Sequence, residues 1–127
     1  MKTSRINTLK HNLQVIKARS VYSELDSNIH RIHSVDKWAE LAGVSRSWLN
    51  EVMNRNYGKS PKFLIRDKRY EKIISVLRNN PDATGFFVAS AAGLRDEKAL
   101  YKFLSKYHKT NFTRLRLEIL NGKPSQF

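Results

Sequence analysis

Residues 38–45 read Trp38-Ala39-Glu40-Leu41-Ala42-Gly43-Val44-Ser45, and the order of residue types there decides how the rest of the chain is understood. A small residue, Ala39, stands where a second helix would cross close to the first. Gly43 supplies a turn whose left-handed backbone is cheap only for glycine. Val44 plugs the corner, and Ser45 offers an N-cap for the helix that follows. Leu49 and Val52 then point back into a core, which leaves the other face of that helix free. This is a helix-turn-helix pattern, although a single short helix pair with a glycine turn is common.

The pattern returns in Val88-Ala89-Ser90-Ala91-Ala92-Gly93-Leu94. Ala39 to Ala89 is 89 − 39 = 50 residues, and so is Gly43 to Gly93. Self-similarity at a fixed offset implies two copies of one supersecondary unit. The second copy runs one residue longer after its turn, since Leu49 lies 10 beyond Ala39 and Leu100 lies 11 beyond Ala89.

Outward from these units the chain reads as helical almost throughout, because Val, Ile and Thr never alternate with polar residues long enough for a strand. Leu9, Leu13 and Ile16 recur at helical spacing, as do Tyr22, Leu25, Ile29 and Ile32. They predict one long or two shorter amphipathic helices before residue 33. Ser34 caps a helix with Asp36 in its first turn, and Gly43 stops it. Ser45 caps the next, carrying Trp48, Leu49, Val52 and Met53 as far as Gly58. Ser60-Pro61 starts the longest helix, through Phe63, Leu64, Tyr70, Ile73, Ile74 and Leu77. Asp82 or Thr84 opens a short helix closed by Gly93. Asp96 caps a helix with Leu100, Phe103, Leu104 and Tyr107, and Asn111 caps a last one through Leu115, Ile119 and Leu120. The expected organisation is all-α: a helical extension or linker at 1–33, a first unit at 34–58, a linker helix at 60–78, a second unit at 82–120 and a flexible tail at 121–127.

The ordered set of features at about 34–116 resembles the DNA-binding domain of the AraC/XylS family of bacterial regulators. In the first half these are Gly43-Val44-Ser45, Leu49, Gly58-Lys59-Ser60-Pro61 and Phe63-Leu64. Arg69-Tyr70 and Leu77 resemble the family's linker-helix pattern. In the second half Val88-Ala89, Gly93-Leu94, Asp96, the basic stretch from Lys102 to Lys106, and Arg116 take their places. The resemblance implies two helix-turn-helix subdomains joined by a long helix, which reads DNA in two successive major grooves about 10 base pairs apart. Where the family has a second Gly-x-Ser/Thr-Pro, this chain has Lys109-Thr110-Asn111-Phe112, and Leu100, Leu104 and Leu115 replace family aromatics. The family's usual effector-binding domain has no counterpart in the sequence, so a small-molecule effector is not expected on this chain.

Composition narrows the partners. There are 24 Lys and Arg against 11 Asp and Glu in 127 residues, a net charge of +13. Charge of that size disfavours a compact state through self-repulsion and accompanies a polyanionic partner, with nucleic acid ahead of an anionic membrane surface. No apolar run approaches the roughly 20 residues of a membrane span, and the first residues lack the unbroken apolar core of a secretory signal. There is no cysteine, which removes disulfides, thiolate zinc sites and a cysteine nucleophile. Family-like segments in DNA-repair methyltransferases need that cysteine. With no glycine-rich phosphate loop and no nucleophile elbow either, the expectation is a protein that is not an enzyme and needs no cofactor or metal. His30 and His33 lie three apart but lack a third ligand.

Helix-turn-helix recognition helices present their exposed N-terminal residues to base edges. The outward set of the first is Arg46, Ser47, Asn50, Glu51 and Asn54. Arg46 suits guanine, Asn50 adenine and Glu51 the cytosine amino group. The second offers Glu97, Lys98, Tyr101 and Lys102. Lys59, Lys62, Lys106, Lys109 and Arg114 are candidates for phosphate contacts, each equally readable as part of a solvated helix face. Arg69, mid-helix, pairs instead with Asp67 or Glu71 or with the second unit. Trp38 and Trp48 read as core, with an exposed Trp48 as the alternative. Phe86-Phe87 read as a buried hinge between subdomains, with stacking on bases as the alternative, and Gly85 as an irregular turn. Residues 1–33 are a linker, a dimerisation helix or a scaffold helix packed on the first unit, and their spacing favours packing.

The expected function is therefore a sequence-specific transcription regulator of the bacterial cytoplasm and nucleoid, with double-stranded DNA as partner and RNA polymerase as a second. The competing readings are a non-specific architectural protein and a membrane-surface or partner-docking module. Acidic Glu51 and Glu97 on the outward faces argue against the architectural reading, because they repel phosphate unless they read a base.

Overall fold

A computed structural model of the chain describes residues 2–122, with side chains from residue 13 onward. Its elements are α1 (Lys2–Asn28), a 3-10 turn (Ile29–Arg31), α2 (Val35–Ala42), α3 (Arg46–Tyr57), α4 (Pro61–Asn79), α5 (Gly85–Ala91), α6 (Glu97–His108) and α7 (Phe112–Leu120), with no strand among the described residues. The fold is all-α.

Local chemistry sets the helix starts. Ser34, Ser45, Ser60, Thr84, Asp96 and Asn111 each sit in extended backbone, and each side chain accepts a backbone N–H from three residues on. Each thereby satisfies one of the donors that a helix start leaves orphaned. Of the two candidates for α5, Thr84 is the cap rather than Asp82. Gly85 is the regular first residue of that helix and not an irregular turn.

The two turns match bond for bond across the 50-residue offset. The Val44 N–H donates to the Ala39 carbonyl at 3.0 Å, and the Leu94 N–H to that of Ala89 at 2.8 Å. Likewise Gly43 donates to Glu40 and Gly93 to Ser90, at 3.1 and 3.2 Å. Both glycines are left-handed, at φ 70° and 79°. A third joint repeats without its usual residues. Gly58 ends α3 in left-handed backbone before Ser60-Pro61, and Lys109 ends α6 at φ 49° before Asn111-Phe112. The second copy keeps the bend after losing both glycine and proline. A left-handed L-residue costs about 1–2 kcal/mol, and Gly returns part of that through unfolded-chain entropy. Lys109→Gly is therefore expected to stabilise the fold by roughly 0.5 kcal/mol in urea denaturation.

Two cores form, and α4 belongs to both. Leu64 and Ile65 pack with Ala18, Val21, Leu25, Ile29, Ile32, Trp38, Ala39, Leu49, Val52 and Met53. Tyr70, Ile73, Ile74 and Leu77 pack with residues of α5, α6 and α7. The small Ala39 and Ala89 are buried where the helices of each pair meet. At 19 residues, α4 is roughly 28 Å long, and one continuous helix therefore spaces the two units.

α1 is one long helix that packs on the first unit, but its inward stripe differs from the expected one. Ala18, Val21 and Leu25 are buried, whereas Leu13 and Ile16 are exposed. Ile16 lies two positions from Ala18, roughly 200° around the helix, and so faces away. Leu9 lies outside the residues whose side chains are described, as do positions 123–127 of the expected tail. Trp48 is half-buried rather than core, with Lys17 Nζ 5.1 Å from its ring centroid. Phe86 and Phe87 are not a buried hinge: they are 62% and 56% exposed. The short α5 buries Gly85, Val88 and Ala89, and its 3.6-residue period leaves positions 86 and 87 on the outer arc. Leu120 is exposed at the end of α7.

Candidate nucleic-acid interface

The polar faces of α3 and α6 are the candidate site. On α3, Arg46, Ser47, Asn50, Glu51 and Asn54 are all exposed, while Leu49, Val52 and Met53 are buried behind them. Spacings of three and four residues put the two sets on opposite sides of one helix. Arg46 Nη1 donates to Asp36 Oδ1 at 3.1 Å, and Arg55 pairs with Glu51. Asn54 Nδ2 donates to the Asn50 carbonyl at 2.7 Å and lies 3.3 Å from Asn50 Oδ1. These partners are well exposed, so each pair is worth at most about 1 kcal/mol and exchanges readily for a ligand.

On α6, Glu97, Lys98, Tyr101 and Lys102 are exposed, with Leu100, Phe103 and Leu104 buried. The Tyr101 hydroxyl donates to Glu97 Oε2 at 3.0 Å, and that bond raises the phenol pKa above its ordinary value. Both side chains close over Gly85. A Cβ there would lie 3.2 Å from the Tyr101 hydroxyl oxygen and 3.3 Å from Glu97 Cγ. The unusual glycine at the start of α5 thus seats the acidic end of the α6 face. Lys98 and Lys102 have no partner among the described residues.

Lys62, Lys106 and Lys109 are exposed at the ends of α4 and α6. Lys59 is held at 3.3 Å by Asp67 and lies over the Phe63 ring, and Arg114 pairs with Glu118 at 3.3 Å. Arg69 pairs with neither Asp67 nor Glu71. Its Nη2 donates to the Ile32 carbonyl at 3.1 Å, its Nε is buried without a partner, and burial pushes its pKa down. A backbone acceptor 37 residues away leaves no trace in sequence spacing. His33 does not join His30 in a metal site: its Nδ1 lies 2.8 Å from the Gly93 carbonyl oxygen, which makes Nδ1 the protonated nitrogen. Among the described residues no group of three or more His, Asp or Glu is placed to hold a metal, and no helix is long and apolar enough to cross a membrane.

No protein-family model matches the chain, and no curated protein matches it. Among solved structures, it is similar to the crystal structure of a transcriptional regulator (AraC-type DNA-binding domain-containing proteins) from Chromobacterium violaceum. The TM-score is 0.65 at 18% identity, covering 87% of this chain and 96% of that one. The chain therefore has the fold of that AraC-type regulator structure.

Proposed function

We propose that the protein is a sequence-specific DNA-binding transcription regulator, in which α3 and α6 enter successive major grooves on one face of the duplex. The observation that carries this reading is the repeat itself: two matching helix-turn-helix units, each with an exposed polar helix face, on one shared helix. The net charge of +13 and the regulator described for the similar structure support the same reading. Action in the cytoplasm beside RNA polymerase belongs to the proposal.

Within it the units divide the work. The α3 face offers Arg46, Asn50 and Glu51 for base edges. The α6 face is the more basic, with Lys98 and Lys102, and Lys106 beyond, for the phosphates. Alanine at Arg46 or Asn50 is expected to relax sequence preference at individual positions by about 1–3 kcal/mol. Alanine at Lys102 or Lys106 should weaken binding to all sequences alike and lower the salt slope by about 1 each. Salt titrations of these four variants on selected and random duplexes check it, and a reversal would overturn the division of labour. The basic α6 face favours one alternative, an architectural protein without base readout. Equal wild-type affinity for selected and random duplexes would establish it.

A further inference from the structure

Two adjoining pockets of about 450 and 270 Å3 share His33 and Arg69 in their walls, the first between the units and the second on the first unit where it meets α4. The first also includes Arg95 beside the turn of the second unit. The second includes Arg46 and Lys62. No carboxylate lines either one; Asp36 holds Arg46 but forms no part of the walls. At the centre stands Arg69, a half-buried guanidinium with one bond to a neutral carbonyl and a buried Nε with no partner. A desolvated cation without an anion is costly, and nothing in this crevice supplies one.

The position is informative. Arg46 is the first residue of α3, and Arg95 immediately precedes Asp96, the cap of α6. The crevice therefore opens between the leading ends of the two outward helices, where a backbone running from one groove segment to the next must pass. The guanidinium fork matches phosphate oxygens bidentately, and Lys supplies a point charge. We infer that this crevice, with Arg69, Arg95 and Lys62 as donors, clamps a DNA phosphodiester midway between the two segments that α3 and α6 contact. His33 acts through position: its bond to the Gly93 carbonyl ties the two walls together.

The inference rests on the proposed DNA-binding reading, and a methylphosphonate scan separates the two. Single neutral linkages are placed along a selected duplex, and affinity is measured for the wild type and for Arg95→Ala and Lys62→Ala, both exposed positions. Neutralising the central phosphates is expected to weaken wild-type binding about tenfold, the scale of one charge-assisted contact. Arg95→Ala should bind the unmodified duplex about tenfold more weakly, lose less affinity than the wild type on the central substitutions, and show a lower salt slope. Central linkages that bind like unmodified DNA, while flanking ones weaken binding, would overturn the clamp and leave the regulator reading intact. Inorganic phosphate that raises the wild-type Tm but not that of Arg95→Ala, with neutral central linkages harmless, would overturn it in favour of a free anion. Wild-type binding that does not distinguish selected from random duplex would remove the regulator reading itself.

Discussion

Gly93→Ala is expected to destabilise the protein by about 3 kcal/mol or more, whereas Gly43→Ala should cost only about 1 kcal/mol. The two glycines hold equivalent places in the repeat and share a left-handed backbone. A Cβ at Gly43 would meet nothing within 4 Å, so alanine there costs only the strain of its conformation. A Cβ at Gly93 would lie 2.2 Å from the Ile29 carbonyl oxygen and 3.1 Å from that of Ile32. Both are backbone atoms and have no rotamer by which to retreat. The 3-10 turn would have to lift off the second unit, and the His33 bond to Gly93 would go with it. Urea denaturation of the two variants checks this, and equal losses would contradict it. The same comparison separates two reasons for glycine in one motif: dihedral freedom at Gly43, close backbone approach at Gly93.

Trp38→Ala is expected to cost about 3–5 kcal/mol, with loss of α1 packing as the accompanying event. Trp38 is fully buried in the first core, and its indole Nε1 donates to the Val21 carbonyl of α1 at 2.9 Å. A backbone carbonyl mid-helix accepts that bond beside its own ladder partner, which fixes the register of α1 against α2. Trp38→Phe keeps most of the apolar area but removes the donor, so a smaller loss of about 1 kcal/mol is expected. Hydrogen exchange at residues 18–25 distinguishes the outcomes. Protection there should fall in Trp38→Ala before it falls in α6 or α7. Uniform loss across both cores would show that the extension is not separately held.

Much of this fold was legible because it rests on local chemistry. Ser34, Ser45, Ser60, Asp96 and Asn111 announce their helices by side-chain capping, which needs only the residue and its next turn. The repeat was legible because Ala39 and Gly43 recur intact as Ala89 and Gly93. Periodicity failed where it had to decide which stripe of a helix is covered. Leu13 and Ile16 share the spacing of the buried Val21 and Leu25 yet face outward, and Phe86 and Phe87 sit on a helix too short to bury more than one arc. The outward set on α3 followed from its period. The engagement of Glu97 by Tyr101 lay within reach as an i, i+4 pair. The crevice did not, because Arg69 and His33 are held there by the backbone carbonyls of Ile32 and Gly93, acceptors that every residue carries.

The central claim, two reading helices spaced by α4, is tested most directly by a hydroxyl-radical footprint on a duplex selected from a random pool. The expected result is two protected segments on one face of the helix, centred about 10 base pairs apart, on a sequence bound far more tightly than random DNA. A single short contiguous footprint, or selection that recovers no common sequence, would contradict it.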